Sequence, residues 1–299
     1  MNWAITCVLL IGAASAAQFP MRENQVVFHL FTRDNPTSSQ ALLPSIPSIA
    51  TSRFLNSRKT IIALHSFGEN VQGNFIAHVV PAHLAAENVN FLAVDWRFGS
   101  FAYSAGVANV PQLGELVARF VNILTNDFGN NVNMIRIIGV GLGAHAAGVA
   151  GRRIVGNIPH IVALDPPLLG WTHNPNKLLK TDANLVEVLH TTATNYGYGD
   201  PLGHVDFYAN GGRSQPMCGD LVLTCSHIYS YIYYAESINA DAEANAKKFV
   251  GTKCASYEET ASQACNGTRD ATFGGIAVKS SESGIYSFAT NVRQPFAKG

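Results

Sequence analysis

Charge is scarce in this sequence, and it is balanced. Lysine plus arginine number 20 and aspartate plus glutamate number 20, so the formal net charge at pH 7 is zero. Only 13% of the residues are charged, about half the ~25% that is typical of soluble domains. The balance provides no general attraction to nucleic acid, so no nucleic-acid partner is expected. The weakly charged surface favours self-association into a homo-oligomer or peripheral contact with a lipid surface.

Long hydrophobic runs are also absent, since no stretch reaches the ~20 apolar residues that a membrane-spanning helix needs. The first residues, Met1–Ala17, combine a short apolar core (Val8–Ile11) with the small residues Ala14–Ala17. This pattern is typical of a secretory signal peptide. A short membrane anchor is the alternative, but the apolar run is too short to span a bilayer. The sequence therefore predicts a signal peptide over 1–17, a secreted extracellular protein and one domain over 18–299.

Cysteine is limited to five residues, of which Cys7 lies in the predicted signal peptide. The other four form two close pairs in sequence, Cys218 with Cys225 and Cys254 with Cys265. Of the connectivities open to four cysteines, pairing of neighbours is the simplest. A zinc site is the alternative, but these spacings differ from the C-x2-C arrangement of zinc ligands. Disulfides agree with an oxidising destination, and Asn266-Gly267-Thr268 matches the acceptor pattern for N-glycosylation.

Short apolar runs alternate with helical patterns along the rest of the chain. Strands are predicted over Gln25–Phe31, Thr60–Leu64, Asn90–Val94, Ile135–Gly139, His160–Leu164, Leu185–Leu189, Gly203–Tyr208 and Ile285–Ala289. Helices are predicted over Phe75–Glu87, Gln112–Phe128 and His227–Ile238, and Pro81 is expected to start, break or kink the first of them. The alternation predicts an α/β fold with a mostly parallel sheet and functional residues at the carboxyl ends of its strands.

The segment Ile135–Gly148 organises this pattern, because a β-branched run leads through a glycine-rich turn into an alanine-rich helix. Strand, tight turn and helix are the setting of the nucleophile elbow, G-x-S-x-G, of α/β-hydrolases. In this chain the turn reads Gly139-Val140-Gly141-Leu142-Gly143. Glycine therefore occupies the position at which the elbow carries its serine nucleophile.

The other members of a hydrolase triad have candidates downstream, in the chain order that this fold uses. Asp165 follows the strand over His160–Leu164 and suits the acid, and His227 suits the base. Backbone N–H groups of Phe67 and Leu142 are the expected oxyanion hole. Gly141 has no hydroxyl, so no covalent intermediate can form there. Glycine would also relieve the backbone strain that elbow nucleophiles store, ~1–3 kcal/mol.

A dinucleotide-binding fingerprint is the formal alternative for the same glycines. Gly139, Gly141 and Ala144 fit G-x-G-x-x-A, with Asp165 as the ribose ligand. The motif lies in the middle of a chain that is expected to be secreted, which disfavours an oxidoreductase. No cofactor and no metal is therefore expected.

Several further segments are similar to the neutral lipase family, which includes pancreatic lipase, hepatic lipase, venom phospholipases and the lipase-fold yolk proteins of insects. These segments are 26–36, 92–96, 139–148, 163–166, 189–191, 203–212, 225–238 and 254–257. The resemblance covers nearly the whole mature chain and implies an α/β-hydrolase fold. It also implies that Asp165 and His227 match the family's acid and base, and that Gly141 falls at the serine.

The chain departs from the family pattern in three other places. Ser66 replaces the glycine of the family's H-G-[FW] loop, so an altered oxyanion turn is expected. The Cys218–Cys225 pair encloses too few residues for the long lid of triglyceride lipases, so an open cleft is expected. The family's calcium-binding carboxylates are mostly absent: Asp182 fits, but Lys177 and Lys180 do not.

The sequence thus predicts a secreted lipase-like protein without catalytic activity. It would bind a lipid or another hydrophobic ligand, or serve as a storage or structural protein similar to the insect yolk proteins. The alternative is a weak carboxylic ester hydrolase of lipid catabolism, in which Asp165 and His227 activate water directly.

Overall fold

A computed structural model of the chain describes residues 21–194, 196–219 and 223–299. The predicted signal peptide over 1–17 lies outside these residues. Within them, eleven strands form one sheet: β1 (Val27–Phe31), β2 (Gln40–Leu42), β3 (Thr60–Leu64), β4 (Asn90–Asp95), β5 (Ile135–Val140), β6 (His160–Leu164), β7 (Leu185–His190), β8 (Val205–Ala209), β9 (Val250–Cys254), β10 (Arg269–Thr272) and β11 (Gly284–Phe288). The helices of the same residues are α1 (Ile46–Ala50), α2 (Asn74–Ala86), α3 (Tyr103–Asn126), α4 (Leu142–Arg153), α5 (Leu223–Ala242) and α6 (Tyr257–Ala261).

The sheet is parallel in its middle and antiparallel at both ends. Its strand order is β10-β9-β11-β8-β7-β6-β5-β3-β4-β1-β2. Neighbours from β11 to β4 run parallel, whereas β10, β9, β1 and β2 pair antiparallel. This arrangement confirms the predicted α/β-hydrolase fold with a mostly parallel central sheet.

Helices cover both faces of the sheet, and each face has its own hydrophobic core. In β3, Ile62 and Leu64 point to the face that α3 and α4 cover, and Ile61 and Ala63 point to the face under α2 and α5. Because both faces are buried, side chains of either parity are apolar. This explains why the central strands read as continuous hydrophobic runs.

Two helices depart from their predicted form. Helix α2 continues through Pro81, and α3 begins at Tyr103 and contains Pro111. Proline removes one helical hydrogen bond, but both helices bury a long apolar face against the sheet. Tertiary packing supplies most helical stability in proteins, and here it outweighs the local penalty.

Two disulfide bonds lie in the carboxyl-terminal third of the chain. Cys218 is bonded to Cys225 in the first turn of α5, and Cys254 at the end of β9 is bonded to Cys265. Asn266 follows the second bond on the exposed surface. None of the helices in the described residues has both the length and the apolarity needed to cross a membrane.

Candidate active site

The predicted elbow is a turn of one residue, Gly141, between β5 and α4. Gly141 has φ 55° and ψ −123°, a conformation that side chains of L-residues disfavour and glycine accepts. Its N–H donates to the carbonyl of Leu164 at 2.9 Å. The local backbone is therefore an abrupt strand–turn–helix junction, and glycine accommodates its positive φ without strain.

Asp165 follows β6 directly and is buried among hydrogen-bond donors. Its Oδ1 accepts from the backbone N–H groups of Thr191 at 2.8 Å and Thr192 at 2.9 Å. Its Oδ2 accepts from the Thr192 hydroxyl at 2.6 Å and from His227 Nδ1 at 2.7 Å. Burial favours the neutral acid, but these donors, and His227 above all, outweigh it and lower the pKa of Asp165. The carboxylate thus joins the end of β6 to the loop after β7.

His227 lies in the first turns of α5 with 26% of its side chain exposed. Burial disfavours the imidazolium, but the hydrogen bond and charge of Asp165, with a smaller contribution from Glu69, raise the pKa of His227 overall. Nδ1 donates to Asp165, so Nε2 faces Gly141. A Cβ at Gly141 would lie 3.3 Å from Nε2. The structure therefore brings Gly141, Asp165 and His227 together.

Ser66 fills the space beside Gly141. A Cβ at Gly141 would lie 2.9 Å from the Cβ of Ser66 and closer still to its Oγ. The backbone N–H of Leu142, an expected oxyanion donor, donates to Ser66 Oγ at 3.3 Å. The departure expected at Ser66 therefore concerns which of the two residues carries a side chain. Residue 66 carries a hydroxyl, and residue 141 has no side chain.

A cavity of about 350 Å³ opens above Gly141. It is lined by Ser66, Phe67, Tyr103, Gly141, Asp165, Pro167, Leu169, Tyr196, Thr224 and His227. Three of these side chains are largely solvent-exposed at its rim: Phe67 (44%), Tyr196 (57%) and Leu169 (72%). Among these lining residues there is no lysine or arginine. The site is a polar floor under apolar walls.

The sequence did not identify the wall residues Tyr103, Leu169, Tyr196 and Thr224, nor the donors around Asp165. The wall residues come from separate loops and helix ends, and no periodic pattern relates them. For Asp165, the segment 189–191 was a partial signal, because the Thr191 N–H donates to the carboxylate, whereas the hydroxyl donor is Thr192, the residue after that segment.

The residues of the family's calcium site do not fit a metal in this chain. Asp182 Oδ1 lies 2.8 Å from Arg152 Nε, and its Oδ2 accepts from the Leu179 N–H at 2.8 Å. A guanidinium and an amide thus take the oxygens that a cation would need. Within the described ranges, no three His, Cys, Asp or Glu side chains come close enough to share an ion.

Removal of the Asp165 carboxylate should destabilise the fold, because it leaves buried donors without an acceptor. We expect Asp165→Ala to lower the free energy of unfolding by ~3–5 kcal/mol, as for a broken buried network. Asp165→Asn, which keeps one carbonyl oxygen as an acceptor, should lower the free energy of unfolding by less. Urea denaturation measures both, and Asp270→Ala at an exposed aspartate is the control. An unchanged midpoint for Asp165→Ala would show that the carboxylate holds nothing together.

Comparison with known proteins places this architecture in a family. The model of the family described as Lipase matches residues 9–289. The chain belongs to the lipase family. It is 35% identical over 264 residues to the pancreatic triacylglycerol lipase of Homo sapiens, a match that covers 80% of this chain and 56% of that protein. It is 34% identical over 265 residues to pancreatic lipase-related protein 2 of Myocastor coypus, covering 80% and 55%.

This lipase-family chain spans little more than half the length of these curated relatives. Among solved structures, an esterase from Pyrococcus furiosus matches with a TM-score of 0.35 and 16% identity, covering 57% of this chain and 73% of that one. A likeness of that size adds nothing to the fold assignment, which rests on the sheet and the family match. The resemblance to pancreatic-type lipases that the motifs indicated is confirmed.

Proposed function

We propose that this lipase-family protein is secreted, is catalytically inactive and binds a lipid or another hydrophobic ligand in the cavity above Gly141. One observation carries the proposal: the nucleophile position is glycine, and Ser66 occupies the space that a side chain there would need. Without a hydroxyl or thiol at the elbow, acyl transfer cannot begin in the usual way.

The cavity supports a hydrophobic ligand. Small-molecule sites are concave and mostly apolar, with a few polar groups that fix orientation. Aromatic and aliphatic side chains form the walls here, and Ser66, Asp165 and His227 form the floor. The exposed rim of Phe67, Leu169 and Tyr196 also supports peripheral contact with a lipid surface.

We further propose that residues 1–17 are a signal peptide and that residues 18–299 form a single domain. We also propose a storage or structural role similar to that of the yolk proteins, with self-association into a homo-oligomer. The two disulfide bonds support an oxidising, extracellular destination. The exposed position of Asn266 suits glycosylation. The storage role is supported by the sequence resemblance alone.

A weak carboxylic ester hydrolase is the second candidate, and the intact Asp165–His227 pair favours it. His227 Nε2 faces the cavity and could take a proton from water that attacks an ester. Enzymes that lose a triad member retain only ~10³–10⁴-fold acceleration over water, from the oxyanion hole and binding. Here Ser66 engages Leu142, one of those oxyanion donors.

Assays on the purified full-length chain separate these candidates. We expect no turnover of short- or long-chain esters, no labelling by a serine-directed organophosphonate, and saturable binding of an apolar fluorophore. Leu169→Asp at the rim should weaken that binding by ~10-fold or more, since it places a charge against an apolar ligand. Val155→Asp, at a similarly exposed apolar residue outside the cavity lining, is the matched control. Turnover that His227→Ala abolishes would instead establish the hydrolase.

A further inference from the structure

Three polar groups converge on the space that a nucleophile would occupy. His227 Nε2 lies 3.3 Å from the point where a Cβ on Gly141 would stand, and Ser66 Oγ lies against the same point. The Leu142 N–H is directed at Ser66 Oγ from 3.3 Å. Among the described residues, neither His227 Nε2 nor the Ser66 hydroxyl hydrogen has an acceptor.

We propose that the ligand of this site is an amphiphilic monocarboxylate, whose carboxylate head binds His227 Nε2 and Ser66 Oγ while its apolar tail lies along the cavity wall. This inference rests on the proposed ligand-binding function and names the ligand class of the same site. No bond is made or broken, so the complex is reversible.

A carboxylate matches the donors better than an ester or an alcohol does. The Nδ1 proton of His227 is committed to Asp165 at 2.7 Å, so a second proton on the ring can lie only on Nε2. Asp165 balances the charge of the imidazolium through Nδ1, but the Nε2–H still needs an acceptor, and a carboxylate oxygen is the strongest one available to a ligand. The two oxygens of one carboxylate can accept from the imidazolium and from the serine hydroxyl together.

The charges around the cavity favour a single negative charge on the ligand. Asp165 is already bonded to four donors and competes little for a further one. Burial raises the pKa of Glu69, and Glu69 is not among the residues that line the cavity. With no lysine or arginine in the lining, His227 is the one group there that can become cationic.

The affinity should therefore depend on pH. The charged groups that act on His227 are Asp165, which follows β6, and Glu69, on the loop after β3. On α2, the titratable ring of His78 packs against Tyr231, one turn along α5. Asp165 raises the pKa of His227, so the imidazolium persists to higher pH than in an isolated histidine and is lost as pH rises through that raised value. Carboxylate binding should weaken over the same range, and binding of a neutral ligand should not.

Calorimetric titration of the full chain with decanoate, decan-1-ol and decyl phosphate tests the head group at constant tail. At about pH 6, below the ordinary histidine pKa of ~6.5, we expect decanoate to bind ~10- to 100-fold more tightly than decanol, as a charge-assisted hydrogen bond provides. At about pH 9 the preference should be smaller, because the imidazolium is lost as pH rises through the raised pKa of His227. His227→Gln should bring the ratio of decanoate to decanol affinity at pH 6 close to one, and His173→Gln at an exposed histidine is the control.

The outcomes distinguish this inference from the function on which it rests. Equal affinity for decanoate and decanol at both pH values would overturn the carboxylate head and leave a hydrophobic-ligand site standing. Failure of all three ligands to bind would overturn both proposals. Tighter binding of decyl phosphate than of decanoate would replace the carboxylate by a phosphate head. Ser66→Ala, which should lower the ratio of decanoate to decanol affinity several-fold at pH 6, gives a second measure if His227→Gln does not fold.

Discussion

Serine at position 141 is expected to restore ester hydrolysis only when Ser66 is replaced by glycine in the same chain. In Gly141→Ser alone, the new Cβ would lie 2.9 Å from the Ser66 Cβ and closer to its Oγ, so the elbow must distort. In the double variant that space is free, and the Leu142 N–H is released from Ser66 Oγ. One oxyanion donor contributes ~10²–10³ in kcat, and the new hydroxyl would face His227 Nε2.

The measurement is kcat/KM on a soluble chromogenic ester for both single variants and the double variant. We expect at least ~10³-fold more activity in the double variant than in Ser66→Gly alone, which is part of the ~10⁶-fold that a nucleophile provides. An organophosphonate should label only the double variant, at position 141. Its elbow will store ~1–3 kcal/mol of strain at positive φ. A Gly141→Ser single variant as active as the double would refute the steric coupling.

Gly143→Ala is expected to prevent folding or to destabilise the protein by more than ~4 kcal/mol. A Cβ at Gly143 would lie 2.7 Å from the carbonyl carbon of Leu64 and 2.9 Å from the carbonyl oxygen of His65, with the Leu64 oxygen nearer still. These are backbone atoms at the end of β3, so no side-chain rotation relieves the overlap, and overpacking of that kind requires backbone shifts.

Soluble yield and urea denaturation measure this effect. Gly219→Ala is the matched control, because Gly219 has no positive φ and a Cβ there would lie within 4 Å of no other residue that the structure describes. Equal stability of the two variants would mean that α4 can move away from β3 without loss. The close approach at Gly143 would then have no role in holding the elbow.

The central sheet was predictable because its strands are defined locally. The strand over His160–Leu164 has the predicted bounds, since an apolar run stands between Pro159 and Asp165. The turn after β5 was likewise predictable, because its glycines allow the chain to pass from a strand to a helix within one residue. By contrast, β2 and β10 at the sheet edges are short and only partly buried, and no periodic pattern marks them.

The contact between Ser66 and Gly141 was not predictable from the sequence. Each residue is a departure from the family pattern, and each was interpreted separately as a loss. Only the fold shows that the Ser66 hydroxyl lies where the side chain of residue 141 would be. The two residues are far apart in the chain, and whether they touch depends on small differences in the geometry of the two turns.

Substitutions that would abolish hydrolysis have opposite effects on the stability of the fold at positions 141 and 165. Glycine at position 141 relaxes the backbone, whereas removal of the Asp165 carboxylate leaves the threonine amides and hydroxyl that it binds without an acceptor inside the protein. In the absence of selection for hydrolysis, substitution by glycine at position 141 therefore costs little stability, whereas loss of the carboxylate at position 165 costs much. If the proposed inactivity holds, the acid at position 165 is thus kept because the fold depends on it, whether or not it serves a reaction.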